Sequence, residues 1–316
     1  MSAIKAIVVD PSAEGRLAVR AAELAPANRD DVTVQVRAIS LNRGEVNRAV
    51  RQAEAGWRPG WDFIGTVSEA ATDGTGPAVG TRVVGLLPSG AWAEVVRAPS
   101  HAVAALPDDV TDAVAATLPV AGLTALHALR QGGLLLGKKV LIDGASGGVG
   151  HLACQLAAAS GAIVHGHVRN KLFQDMVAEW CGTRTIVAPD LTAAKPFGPF
   201  DLILDSVGGS ALGAALSMLR PDGICVTFGV SEAPTSTFES RTFFTTGGTR
   251  LYGLALFHEL SRVEPASQGL ALLAGLVARG LLNPRVEIEA KWTEVGTVAR
   301  RLLERDFMGK AVLHVG

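Results

Sequence analysis

Two rhythms of apolar and polar positions divide the chain. In the first third, short runs rich in β-branched residues recur between Gly, Pro and Asp. They are Ile4–Val9, Val32–Ile39, Phe63–Ser68, Arg82–Leu86 and Ala93–Val96. Such runs predict β-strands, because branched side chains fit a pleated surface and the intervening residues favour turns. Leu106-Pro107-Asp108-Asp109 reads as a turn, and Ala113–Leu118 after it as a short apolar helix.

The middle third alternates strand-like and helix-like segments. Strands are expected at Lys139–Asp143, Ala162–Val168, Thr185–Val187, Asp201–Asp205 and Gly223–Phe228. Helices are expected at Gly148–Ser160, Lys171–Trp180 and Ser210–Leu219. Strands that alternate with helices imply parallel pairing, with helices covering both faces of a doubly wound sheet. The tail predicts a helix at Gln268–Arg279, a strand near Val286–Ile288, a helix at Glu294–Glu304 and a strand at Ala311–Val315. This tail has the content to return and complete the first domain.

Between the first strand and first helix of the alternating region stands Gly144-Ala145-Ser146-Gly147-Gly148-Val149-Gly150. A glycine-rich strand-to-helix turn suits a dinucleotide pyrophosphate. Helix N-terminal N–H groups and the helix dipole face the phosphates, and small residues let the backbone approach them. Gly147 serves that approach and Gly150 the packing of helix on sheet; Ala145 stands in place of the first glycine of the usual G-x-G-x-x-G pattern. The second strand ends in Val168-Arg169-Asn170-Lys171. An acidic residue here would accept from the ribose 2′-hydroxyl of NAD. Arg169, with Lys171 beside it, instead suits a 2′-phosphate, because a guanidinium binds phosphate in a fork. The bound cofactor is therefore expected to be NADPH. The bland alternative is two solvated basic residues at a helix start.

Composition narrows the setting. The 316 residues carry a formal net charge of −1 with 19% charged residues, so bulk electrostatics favour neither nucleic acid nor an anionic membrane. The N-terminal apolar run is too short for a signal peptide, and no stretch reaches about 18 uninterrupted apolar residues. Cys154, Cys181 and Cys225 are scattered and odd in number. They suggest small buried side chains in a reducing, cytoplasmic compartment rather than a disulfide framework or zinc site.

Several further motifs carry a resemblance. Ser40-Leu41-Asn42-Arg43-Gly44-Glu45, Pro59-Gly60-Trp61-Asp62-Phe63-Ile64-Gly65 and Leu118-Pro119-Val120-Ala121-Gly122-Leu123-Thr124-Ala125 are three of them. Val140 through Gln155, Asp205-Ser206-Val207-Gly208-Gly209 and the closing Gly309-Lys310 complete the set. Over nearly its whole length the chain resembles the medium-chain dehydrogenase/reductase superfamily, above all its zinc-free quinone oxidoreductase (zeta-crystallin) and enoyl reductase branch. The resemblance implies an α/β protein: a Rossmann doubly wound parallel sheet plus a β-rich GroES-like catalytic domain. Residues 1–121 with 259–316 would form the catalytic domain, and 122–258 the NADPH-binding domain. It implies that Asn42 and Thr124 contact the nicotinamide end, that Ser206, Val207 and Gly229 lie along the cofactor, and that Lys310 lies near it. As residues alone, Asn42 reads equally as a turn residue, Thr124 as a helix cap or packing residue, and Lys310 as a solvated lysine.

In zinc-dependent relatives a Cys stands in the segment of Asn42, a His-Glu pair at Trp61-Asp62, and another Cys near Val120. None of these positions supplies the Cys/His set here, and no metal is expected. Without a Lewis acid, alcohol oxidation loses its usual driver. Reduction of a quinone or α,β-unsaturated carbonyl compound remains feasible, because charge delocalises into an enolate that hydrogen-bond donors can stabilise. Two other functions stay open: an enoyl-thioester reductase, and a non-catalytic NADPH-binding protein. No proton donor is assigned; Tyr252 is the single tyrosine, and His127 reads as a helix-face residue. A homodimer is expected through the β-prone segment Leu251–Leu254.

Overall fold

The computed structural model describes residues 3–182 and 184–316. Two compact units emerge from the chain. The first comprises residues up to Leu123, Leu260–Gly280 and Pro284–Gly316; the second comprises Thr124–Glu259 and Leu281–Asn283.

The first unit is built on strands. Ala3–Val9 (β1) and Leu17–Glu23 (β2) pair antiparallel. Asp31–Ser40 (β3), Asp62–Glu69 (β4), Arg82–Leu86 (β5), Val95–Pro99 (β6) and Val103–Ala105 (β7) follow. The sixth strand is displaced from the expected Ala93–Val96, and Ala93 itself makes an isolated bridge to Ala6. Helices of this part are Arg43–Arg51 (α1) and Asp112–Ala116 (α2).

In the second unit, Leu123–Arg130 (α3) precedes Lys139–Asp143 (β8), Gly150–Ala159 (α4), Ile163–Val168 (β9), Gln174–Cys181 (α5) and Arg184–Val187 (β10). Phe200–Asp205 (β11), Gly209–Leu216 (α6), Leu219–Thr227 (β12), Ser240–Thr246 (α7), Arg250–Gly253 (β13) and Leu256–Arg262 (α8) complete the series. Ala266–Ala278 (α9), Val286–Lys291 (β14), Val295–Glu304 (α10) and Lys310–His314 (β15) close the chain.

The tail joins the first unit's sheet, whose order is β14-β15-β3-β4-β5-β7, with β6 also on β3. The fit follows from side-chain pattern. α10 buries Val295, Val298 and Ala299, spaced three and four apart on one face. They pack into a core that holds Phe63, Trp92 and Ile39. Each such large side chain stabilises the unit by about 1.5–3 kcal/mol when fully removed from water.

The second unit is a six-stranded sheet in the order β10-β9-β8-β11-β12-β13. All five pairings are parallel. The winding reverses between β8 and β11. In open parallel sheets this reversal leaves a crevice at the carboxyl ends of the strands, where ligands bind. α4 is buried on nearly all sides, as a helix sandwiched in such a fold must be.

Candidate functional site

On the second unit, the glycine loop sits at the reversal. Gly150 opens α4 so close to the loop that a Cβ there would lie 2.1 Å from the Gly144 carbonyl oxygen. Only glycine fits, and the loop is thereby folded under the first turn of the helix. Nothing but the Gly144 carbonyl oxygen lies within 4 Å of a Cβ built on Gly147, at 3.3 Å. The opening N–H groups of any helix lack intrahelical acceptors, so the loop presents donors where a phosphate would lie. Ala145, Ser146, Gly148 and Val149 complete this turn.

Beside the loop lies a cavity of about 230 Å³ lined from β8, β9, the segment after β10, and α6. Arg169 is exposed on its border, directly after β9. Val207 forms part of an apolar wall with Leu191 and Ala211. Lys171 is exposed and does not line this cavity. Between the two basic residues, Asn170 accepts a hydrogen bond from the Leu172 N–H and starts the next turn. Ser206 Oγ donates to the Asp143 carbonyl, and Gly229 packs against the Ser206 backbone. Asp205 is buried; it accepts from the N–H groups of Val207 and Gly208 and from Thr227 Oγ1. Burial raises its pKa. Thr124 is buried in the first turn of α3, and His127 is buried on the same helix. These residues fit a dinucleotide: a phosphate loop, an adjoining cavity and a guanidinium at its rim.

On the first unit, Asn42 and Lys310 meet in a buried polar cluster. Lys310 is only 2% exposed, which overturns its reading as a solvated lysine. Its ammonium donates to Asn42 Oδ1 at 2.5 Å and to the Leu41 carbonyl at 2.9 Å, and lies 3.5 Å from Asp62. Asp62, fully buried, accepts from Ser40 Oγ, Asn42 Nδ2 and the Val120 N–H. Asn42 caps α1, and its N–H donates to Glu45 Oε1. Its side-chain Nδ2 donates both to Glu45 Oε1 at 2.9 Å and to Asp62 Oδ2 at 2.7 Å. Both amide hydrogens are thus engaged, so donation from Asn42 to an enolate would cost one of these bonds.

Burial, and then the charge of Asp62, push the Glu45 carboxyl well above its ordinary pKa. Burial likewise lowers that of Lys310, opposed by Asp62 and Glu45. One neutral acid beside one ion pair is the arrangement with least uncompensated charge. The donors that the zinc-dependent pattern would place at 42, 61, 62 and 120 are here Asn, Trp, Asp and Val. The one carboxylate among them is saturated by protein donors. Among the described residues, no three His, Cys, Asp or Glu side chains converge as a metal site would require.

Sequence reasoning did not find this cluster as a unit. The Asn42-x-x-Glu45 spacing is a capping-box signal that marks α1, but nothing in the sequence ties it to residues 62 and 310.

Comparison with known proteins agrees with this geometry. Residues 28–108 match the alcohol dehydrogenase GroES-like domain, and residues 148–272 match the zinc-binding dehydrogenase family. The chain is 29% identical over 302 residues to a mycocerosic acid synthase-like polyketide synthase of Mycobacterium tuberculosis, covering 92% of this chain. It spans 14%, 10% and 6% of the lengths of three polyketide synthases that it matches.

Among solved structures, the quinone oxidoreductase from Coxiella burnetii superposes with a TM-score of 0.84 at 25% identity, covering 100% of both chains. A mycobacterial protein complexed with NADPH gives 0.87 at 24%, covering 98% and 99%. The CurK enoyl reductase gives 0.84 at 20%, covering 100% of both. The last two are likenesses of fold. The chain belongs to the medium-chain dehydrogenase/reductase superfamily of oxidoreductases, in the branch that holds the quinone oxidoreductases and enoyl reductases.

Proposed function

We propose that the chain is an NADPH-dependent reductase that delivers hydride to a quinone or an α,β-unsaturated carbonyl compound without zinc. The observation that carries this reading is the phosphate loop with Arg169, rather than an acidic side chain, on the border of the adjoining cavity. The NADPH bound by the mycobacterial protein of the same fold supports it.

NADPH would be held at its pyrophosphate by Gly144–Gly150, at its 2′-phosphate by Arg169 and Lys171, and along its length by Ser206, Val207 and Gly229; when bound it supplies a hydride. Thr124 orders the nicotinamide end. Asn42 and Lys310 brace each other, and this fixes the segment that carries Asn42. An electrophilic carbon that accepts hydride leaves negative charge on the conjugated oxygen, and a proton from solvent completes the reduction. The single tyrosine is not free for that task, since Tyr252 donates its hydroxyl proton to buried Glu259 at 2.5 Å. A zinc ion has no place in this scheme, because the Asp62 carboxylate is occupied by Ser40, Asn42, Val120 and Lys310.

An enoyl thioester is the second substrate class, favoured by the polyketide synthase relatives and the CurK enoyl reductase. Oxidation of NADPH by metal-depleted protein, followed with a quinone, an enone and a crotonyl thioester in parallel, tests both. Turnover with the quinone or enone supports the first reading, and turnover confined to the thioester supports the second. Tight NADPH binding with no turnover on any would make the chain a binding protein.

The working assembly is proposed to be a homodimer. β13 is an edge strand, and Leu251 on it is 44% exposed, with Phe244 and Phe257 exposed nearby in sequence. An open apolar edge invites pairing with a second copy. A monomer mass by light scattering at micromolar concentration would contradict this. No helix among the described residues is long and apolar enough to cross a membrane. The three free cysteines suit a cytoplasmic setting.

A further inference from the structure

The floor of the cavity beside Arg169 makes a chemical demand that phosphate binding does not answer. Asp143 and His167 stand opposite each other on the neighbouring strands β8 and β9. His167 Nδ1 lies 2.7 Å from Asp143 Oδ1, and His167 Nε2 lies 3.1 Å from the Ala188 carbonyl oxygen. The imidazole is thus held at both ends, and it fixes one oxygen of the carboxylate. Both side chains are 4% exposed, and both line the cavity. The other oxygen, Asp143 Oδ2, is buried and accepts no hydrogen bond from the protein. A buried carboxylate oxygen left without a donor is costly, and buried polar atoms are ordinarily completed by protein, water or ligand. Asp143 and His167 line the cavity floor, Val207, Leu191 and Ala211 form small apolar walls, and Arg169 stands at the exposed border, where the exposed carboxylates of Asp190 and Glu232 also line the cavity.

From border to floor, the features run from a cation through an apolar surface to a carboxylate. This order matches the phosphorylated ribose and base of an adenosine 2′-phosphate. A glycosylated adenine has one N–H donor, its exocyclic amino group; its ring nitrogens only accept. We infer that Asp143 Oδ2 accepts a hydrogen bond from the adenine amino group of the cofactor, with His167 as the positioning residue that holds the carboxylate. The inference rests on the reading of this cavity as the adenosine end of an NADPH site. It adds a residue that selects the base, as Arg169 selects the phosphate.

The probe is nicotinamide hypoxanthine dinucleotide phosphate, the reduced deamino analogue of NADPH. It carries an oxo group where adenine has the amino group, so an acceptor faces an acceptor. Dissociation constants for NADPH and the analogue are measured by fluorescence titration, with no substrate present. Wild-type protein is expected to bind NADPH at least about tenfold more tightly, the scale of one hydrogen bond to a charged group. Asp143→Asn can turn an amide N–H toward the oxo group and is expected to abolish or invert the ratio. His167→Asn, whose amide nitrogen can stand in for Nδ1, is expected to keep the ratio, and His167→Ala to lose it.

A wild-type ratio near one overturns the inference without any variant. So does a ratio that Asp143→Asn leaves unchanged. If NADPH binds, prefers Arg169 over alanine at that position and yet shows no preference over the analogue, this inference alone fails. If NADPH does not bind, or NADH binds equally well, the underlying reading of the site fails.

Discussion

Replacing Lys310 with methionine removes the one ammonium from the buried cluster of the first unit while keeping a flexible aliphatic stem in its place. The lost contacts are the hydrogen bonds to Asn42 Oδ1 and the Leu41 carbonyl, and the attraction to Asp62 3.5 Å away. Removing one partner of a buried ion pair costs about 3–5 kcal/mol, because the other charge is left uncompensated in a poorly polarisable interior. Asp62 keeps three donors in Ser40, Asn42 and the Val120 N–H. The expected loss is therefore at the lower end, about 3 kcal/mol.

Urea unfolding followed by tryptophan fluorescence reads this out, since Trp57, Trp61, Trp92 and Trp292 all lie in the first unit and only Trp180 in the second. With a slope near 3 kcal/mol per molar, the midpoint falls by about 1 M. The double variant Lys310→Met with Asp62→Asn removes both charges, and should recover about 1–2 kcal/mol relative to the single variant, as coupled neighbours do. A single variant within about 0.5 kcal/mol of wild type, the range of a surface substitution, would refute the buried-pair argument, and so would strict additivity in the cycle.

Three other outcomes follow. Glu45→Gln should change the pH dependence of stability: because the folded carboxyl titrates above its ordinary value of 4.5, the native state keeps a proton that the unfolded chain releases, and wild-type stability from this group falls as pH rises through that window. The Gln variant lacks this slope, so its stability relative to wild type should climb above pH 4.5 and then level off; parallel stability curves would contradict it. Arg169→Ala should weaken NADPH by ~1–3 kcal/mol and leave NADH unchanged, by fluorescence titration; an equal effect on both would place Arg169 outside phosphate recognition. Gly150→Ala puts a methyl group 2.1 Å from the Gly144 carbonyl oxygen and should abolish binding of both cofactors, with a stability loss of about 1–3 kcal/mol by thermal melt; normal binding would refute the assigned loop geometry.

The sequence made most of the alternating region legible, because strands such as Lys139–Asp143 are short apolar runs bounded by glycine turns. Other elements were hidden for local reasons. Leu17–Glu23 is rich in alanine with Arg20 inside it, so β2 has a single β-branched residue, Val19, to mark it and depends on pairing with β1. β12 begins at Leu219 rather than Gly223, because Arg220-Pro221-Asp222 reads as a turn and Asp222 indeed has φ of +62° inside the strand. The expected helix from Ser210 to Leu219 accordingly stops at Leu216.

The strand-to-helix turn at Gly144–Gly150 and the place of Arg169 directly after β9 were legible, because glycine runs mark such turns and the strand before Arg169 is apolar. The Asn42, Asp62 and Lys310 cluster was not, since its members are brought together by β3, β4 and β15 pairing in one sheet. In the sequence, Asp143 stands only as the last residue of the strand Lys139–Asp143. Its partner His167 became meaningful only through the β8–β9 register.

The most direct test of the central claim is the fate of the transferred hydrogen. Metal-depleted protein is given NADPH deuterated at the nicotinamide C4 and a conjugated enone, and the product is examined by mass spectrometry. The expected product is a saturated ketone that carries one deuterium on carbon, formed at a rate that added zinc does not raise. A product without deuterium, or consumption of NADPH only after zinc is restored, would contradict the claim.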